Sequence, residues 1–186
     1  MMTQHNPKDS WQNLITEFHS KSDRAAAILG AAFLEAHLGE LIGSFFVDAC
    51  DQDCSLLDVD RPLGTFAARV RGAYCMGLIS KTEYHDLNLI MQIQHAFANQ
   101  VYGPAFTDNG IREKCFQLRI PRQVLLPAET HTPRQLFVFA TAILTQQLAW
   151  RAEHLSGHAR SGQALVNVFA RRPSSGFQPG CRCNNP

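Results

Sequence analysis

The amino-acid sequence predicts an all-α fold: a single multi-helix bundle-like domain followed by a flexible C-terminal tail. Apolar residues recur at spacings of three and four, which places them on one helix face, and no segment alternates like a half-buried strand. Residues that cap helices precede several of these segments. With 186 residues, 45% hydrophobic and 18% charged, the chain is long enough to bury one core.

The amino-terminal part of the chain contains two predicted helices. A short first helix buries one face, formed by Trp11, Leu14, Ile15 and Phe18. Ser22 is the N-cap of a long second helix through residue 47, and Asp23 in its first turn complements the positive helix end. The apolar run of this helix is interrupted by Glu35, His37 and Glu40. No membrane span is therefore predicted.

Two helices follow in the middle of the chain. The first covers about residues 63–78 and is closed by Gly77. Ser80 and Glu83, three residues apart, form a capping box that opens the next helix. That helix is predicted to run from residue 81 to 101, before a Tyr-Gly-Pro sequence ends it.

The remaining helices occupy residues 109–118 and a long segment opened by Thr132 as N-cap and Pro133 at the first helical position. The proline-containing residues 120–131 between them are predicted to be a connection, and the last helix ends near Gly157.

The chain divides by composition into an all-helical domain over residues 1–158 and a disordered basic tail over residues 159–186. The tail is rich in Pro, Gly, Ser and Asn and has little apolar surface to bury.

The charge distribution disfavours direct DNA binding by the folded domain. The net charge is +1, and residues 151–186 hold five arginines against one glutamate, so the first 150 residues carry −3. Ala73 and Gly77 have the spacing of a helix-turn-helix. Glu83 stands where that motif expects a buried apolar residue, and the following helix is poor in basic residues.

The six cysteines predict neither a disulfide framework nor a metal site. Because no signal peptide is visible, they are expected to be reduced thiols in the cytoplasm. The zinc-knuckle spacing is absent from Cys50, Cys54, Cys181 and Cys183. Cys75 and Cys115 lie on predicted helices and are expected to be small core residues. No phosphate-binding loop or nucleophile elbow occurs, so no cofactor is predicted.

The helix over residues 81–101 carries a polar stripe on an otherwise apolar surface. At about 100° per residue, one narrow arc contains Asn88, Gln92, His95 and Asn99. The apolar remainder predicts a central helix packed on several neighbours. Gln94 falls within the apolar arc, which makes it either a hydrogen-bonded core residue or part of an interface. His95 and Asn99 are more typical of a solvated stripe than of a catalytic pair, because asparagine is neither acid nor base.

Four segments of the chain resemble the mannitol operon repressor (MtlR) family. In the family's order they are SDRAAAILGAAFLE (22–35), LLDVDRPLGTFAARVRGAYCMGLIS (56–80), EYHDLNLIMQIQHAFAN (83–99) and TPRQLFVFATAILT (132–145). The resemblance implies an all-helical regulator of sugar-alcohol uptake in a bacterial cytoplasm, without an obvious DNA-reading module.

Within this resemblance, family members commonly show IRNxFAH where this chain has IQHAFAN. That motif is similar to the Arg-Asn-x-x-x-His signature of HEPN domains, several of which are ribonucleases. Here Gln94, His95 and Asn99 occupy the three positions, so the positive charge and the proton-shuttling histidine are missing. No catalytic residue is predicted. Asp23 and Arg24 match the family pattern and join these three as candidate interaction residues.

The resemblance therefore implies a repressor or co-repressor of mannitol-type carbohydrate utilisation that is a homodimer. Because neither charge nor motif supports catalysis or DNA readout, we expect it to be no enzyme and to act through another regulatory protein. The alternative is a degenerate HEPN-like nucleic-acid-binding protein without nuclease activity. Its contacts would come from Arg160, Arg171, Arg172 and Arg182. A small-molecule sensor with a pocket between helices would leave no recognisable mark in the sequence.

Overall fold

The computed structural model describes residues 22–46, 56–100, 103–124 and 131–156. Regular structure within these ranges is entirely helical, which confirms the predicted fold class. The helices are α1 (Asp23–Phe45), α2 (Phe66–Cys75), α3 (Lys81–Asn99), α4 (Asn109–Gln117), α5 (Ile120–Val124) and α6 (Pro133–Ser156). The predicted helix at Trp11–Phe18, the tail over residues 159–186 and four of the six cysteines lie outside the described residues.

The two longest helices, α1 and α6, share the most extensive contact in the bundle. Small buried residues on α1, including Ala26, Ala27 and Ala31, allow this close approach. Helix α3 packs against both long helices and against α2, α4 and α5. Its buried residues Ile90, Ile93 and Phe97 are part of one continuous core. The prediction that the helix over residues 81–101 is central, packed on several neighbours, is therefore confirmed.

Helix α1 is long and apolar enough to cross a membrane by length and composition alone, with a mean hydropathy of 1.5 over its most apolar window. Half of that window is buried inside the bundle. The core helix of a soluble protein has the same length and composition, so these two features alone do not distinguish the two cases.

The helix starts agree with the capping residues that the sequence predicted. Ser80 Oγ accepts a hydrogen bond from the Glu83 backbone N–H at 3.3 Å, while Glu83 Oε2 accepts one from the Ser80 backbone at 2.7 Å. Thr132 and Gln135 exchange the same pair of bonds at the start of α6. Gly77 has a φ of 71°, the left-handed conformation that suits glycine just beyond a helix end.

Two sequence predictions about local structure were wrong. Residues 120–124 form the short helix α5 instead of a connection, because the distant Asp86 carboxylate accepts backbone hydrogen bonds where this helix begins. Cys75 is exposed and not part of the core, since it is the last residue of α2 and faces solvent. Cys115 is buried as predicted, and this burial raises the pKa of its thiol to about 12.

Candidate interaction surface

The amino-terminal end of α1 is tied to two other parts of the bundle by Asp23 and Arg24. Asp23 accepts a hydrogen bond from the Phe106 backbone N–H at 3.0 Å and pairs with Arg134 at 2.6 Å. Arg24 donates to the carbonyl of Gln100, just beyond the end of α3. Both side chains are half-buried, so these two candidate residues stabilise the junction of α1, α3 and α6.

The other three candidate residues lie on α3 near the same end of the bundle. His95 and Asn99 are exposed, as is Gln92 one turn earlier, which agrees with a solvated polar stripe. Gln94 is half-buried, so its amide is not sealed in the core and solvent can satisfy it. Because Arg24 reaches Gln100, the structure brings Asp23, Arg24 and Asn99 to one end of the bundle.

A braced loop, residues 56–64, is a feature that the sequence analysis missed. The guanidinium of Arg69 on α2 donates three hydrogen bonds, to the carbonyls of Leu63 (3.0 Å), Glu35 (3.0 Å) and Leu57 (2.9 Å). At Gly64, a Cβ atom would lie only 2.3 Å from the carbonyl oxygen of Asp58. The loop is therefore held in one conformation by contacts to its backbone.

The braced loop displays apolar side chains to solvent. Val59 is 84% exposed, the largest value among the exposed large hydrophobic residues of the described chain, and Leu56 is 43% exposed. Asp58 and Asp60 on either side of Val59 are exposed as well. An apolar side chain on a rigid loop with a polar rim is the arrangement found at protein–protein contacts. Its sequence, LLDVDRPLG, lies in a segment that carries the family resemblance.

The sequence did not predict that two carboxylates on α3 are buried and paired with distant groups. Glu83 lies 2.7 Å from the guanidinium of Arg151 on α6. Burial by itself raises the pKa of Glu83, but hydrogen bonds from Arg151 and Ser80 outweigh it, and the pKa lies below its ordinary value. Asp86, fully buried, accepts from the backbone N–H groups of Arg119 and Ile120 at 2.8–3.0 Å. These contacts join α3 to α5 and α6.

The described ranges contain no group of three or more His, Cys, Asp or Glu side chains placed to hold a metal ion. What the described surface offers is a braced apolar loop and a polar stripe, and both suit contact with another macromolecule.

Comparison with known proteins identifies a family model and two curated relatives that are similar to this chain. A family model described as mannitol repressor (MtlR) matches residues 34–153. The mannitol operon repressors of Escherichia coli strains K12 and O6:H1 are each 31% identical over 97 residues, or 52% of this chain and 49% of theirs. The chain thus spans about half the length of the curated relatives it matches.

Two solved structures share the fold. A chain in the X-ray structure of the MtlR–HPr complex from Escherichia coli superposes with a TM-score of 0.60 at 21% identity, covering 77% of this chain and 98% of that one. YggD of Shigella flexneri 2a, described as a possible transcriptional regulator, superposes with a TM-score of 0.55 at 16% identity. This match covers 83% of this chain and 99% of YggD. At these identities the two structures establish similarity of fold alone.

Proposed function

Since the chain belongs to the mannitol repressor (MtlR) family, we propose that it is a transcriptional repressor or co-repressor of mannitol-type carbohydrate utilisation that acts through protein contacts. It works without catalysis and without reading DNA directly. The observation that carries this proposal is the braced loop, which keeps Val59 84% exposed on a backbone held by Arg69.

The proposed partner is a protein of the HPr type. A fold relative of this chain was solved in a complex with HPr. A partner with an apolar depression ringed by basic groups would complement Val59 and its two flanking aspartates. Because Arg69 already orders the loop, binding costs little conformational entropy. The polar stripe, which includes His95 and Asn99, is a second surface that the partner could contact.

Further parts of the proposal follow from the family. We place the protein in the bacterial cytoplasm and propose that it is a homodimer. The exposed face of α1 supports the dimer, because Ile28, Ala32 and Ala36 form an apolar stripe at helical spacing.

The binding test is calorimetric titration of the full chain with HPr from the same bacterium. We expect Val59→Asp to weaken binding by roughly tenfold or more, because it adds a charge to an apolar contact. Val124→Asp is the matched control, since Val124 is 62% exposed on α5, and it should bind like the native chain. The double variant His95→Ala with Asn99→Ala tests whether the polar stripe contributes to HPr binding. Unchanged affinity in Val59→Asp would exclude the loop, and absence of any HPr binding would exclude this partner.

The nucleic-acid alternative is tested in the same preparation. Binding through phosphates should collapse between about 50 and 200 mM salt and should disappear when the chain is truncated after Gly157. Contact with HPr should survive truncation. Recovery of nucleic acid alone from a lysate, abolished by nuclease, would favour the HEPN-like alternative.

A further inference from the structure

A cavity of about 600 Å³ opens to solvent where α4 and α5 meet the start of α6. This volume lies in the range of small-molecule sites. Its wall combines two guanidinium groups, two neutral polar groups and an apolar floor, from Arg112, Arg122, Thr107, Gln117, Phe116 and Pro133.

The region around this cavity is locally basic. Residues 107–122 contain four basic and two acidic side chains, a net charge of +2, although the first 150 residues together carry −3. Arg122 donates a hydrogen bond to the carbonyl of Phe116 at 2.5 Å, which holds its guanidinium at the cavity wall. Arg112 is exposed and has no salt bridge with any described residue. Its guanidinium is therefore accessible from solvent.

We infer that this cavity binds a small phosphorylated polyol. Guanidinium groups are suited to phosphate because their planar donors match two oxygens at once, and two of them line this one cavity. The Thr107 hydroxyl and the Gln117 amide can donate to and accept from hydroxyl groups. Phe116 and Pro133 offer an apolar surface to a carbon chain.

The remaining lining residue, Glu113, narrows the ligand class. Its carboxylate accepts hydrogen bonds from hydroxyl groups but disfavours the added negative charge of further phosphate groups. A ligand with one phosphate and several hydroxyls therefore suits the cavity better than a polyanion. This inference goes beyond the proposed contact with HPr, because none of the lining residues belongs to the braced loop.

The test is calorimetric titration of the full chain with mannitol 1-phosphate, mannitol and inorganic phosphate. We expect mannitol 1-phosphate to bind and mannitol to give no detectable binding. Inorganic phosphate should bind roughly tenfold more weakly than the hexitol phosphate, which corresponds to the loss of one good polar contact. Arg112→Ala and Arg122→Ala should each weaken binding of mannitol 1-phosphate by about tenfold.

The matched control is Arg119→Ala, which removes an equal charge from an exposed side chain outside the cavity lining. This variant should bind mannitol 1-phosphate with an affinity within about twofold of the native chain, since solvent screens the charge of Arg119. No binding of mannitol 1-phosphate up to about 10 mM would overturn the inference. So would equal losses in Arg119→Ala and Arg112→Ala, or equal affinity for inorganic phosphate. None of these results bears on HPr binding, so the two proposals fail separately.

Discussion

At the scale of single residues, Arg69 on α2 connects α1 to the braced loop. Its guanidinium satisfies carbonyls from α1 and from two places in the braced loop, and Gly39 on α1 makes room for it: a Cβ there would lie 3.1 Å from Arg69 Nη1. Hydrogen bonds that involve a charged group are among the stronger ones in proteins. The shape of the loop thus depends on one side chain of α2.

Arg69→Met should therefore destabilise the protein by about 2–3 kcal/mol, since methionine keeps the aliphatic length but leaves three carbonyls without their donor. Urea unfolding followed by circular dichroism measures the change. Arg71→Met is the control, because Arg71 is exposed on the same helix, and it should stay within about 0.5 kcal/mol of the native chain. Equal stability of the two variants would contradict the bracing role. Arg69→Met should also weaken HPr binding, because the loop is no longer ordered beforehand.

The separation in sequence between hydrogen-bonded residues explains which of their contacts could be predicted from the sequence. Ser22, Thr132 and the Ser80–Glu83 capping box bond to groups three residues away, so a local pattern reveals them. The carbonyl partners of Arg69 lie as far as 34 residues away, and the backbone partners of Asp86 lie 33 and 34 residues away. No periodicity in a single sequence records such pairs. For this reason the braced loop and helix α5 were both missed.

At the scale of helices, α3 is the central element, and its polar residues serve two purposes. Glu83 and Asp86, on the buried side of its amino-terminal half, connect it to α6 and to the start of α5. The stripe of Gln92, His95 and Asn99 near its other end faces solvent. The helical periodicity located the stripe correctly. It did not predict that two acidic residues are buried, because acidic residues are rarely buried unless they are paired.

Glu83→Gln tests the link between α3 and α6. Glutamine keeps a similar shape but loses the charge that pairs with Arg151, so we expect a loss of about 1–3 kcal/mol at pH 7. The pKa of Glu83 is lowered by folding, so its contribution is present above its unfolded value near 4.5 and is lost as the pH falls through the folded value. The difference between the native chain and Glu83→Gln should therefore shrink below pH 4.5.

Urea unfolding of both proteins from pH 7 to pH 3.5 measures this difference. Glu153→Gln is the control, since Glu153 is exposed on α6, and it should show little effect at any pH. A difference for Glu83→Gln that stays constant across this pH range would mean that the charge of Glu83 is not what joins the helices.

At the scale of the whole molecule, the all-helical architecture could be predicted from the sequence. Long apolar segments with capping residues define the bundle, because most of each segment must be buried against another helix. Which surfaces remain exposed depends on how the helices are arranged, and the local pattern of apolar and capping residues does not reveal that arrangement. The cavity beside α4 illustrates this point, since its lining residues come from three helices and from Thr107, two residues before α4.

The outer face of α1 leads to the last prediction. Ile28 is 38% exposed, and Ala32 and Ala36 continue the stripe at intervals of four residues, so part of this face of the bundle is open to solvent. An isologous dimer would bury the stripe of one protomer against the same stripe of its partner. Light scattering after size exclusion should then give twice the chain mass of 20.7 kDa.

Ala32→Glu should shift this dimer toward monomer, because like charges would meet near the two-fold axis in an apolar interface. The side chain is exposed in the single chain, so the fold should be retained and circular dichroism should be unchanged. Gln146→Glu introduces the same charge on the exposed face of α6 and should leave the mass unchanged. A native chain that is monomeric at every concentration would contradict the dimer. A dimer that is insensitive to Ala32→Glu would mean that the dimer contact lies elsewhere. The exposed apolar stripe of α1 would then have to be explained by a different partner.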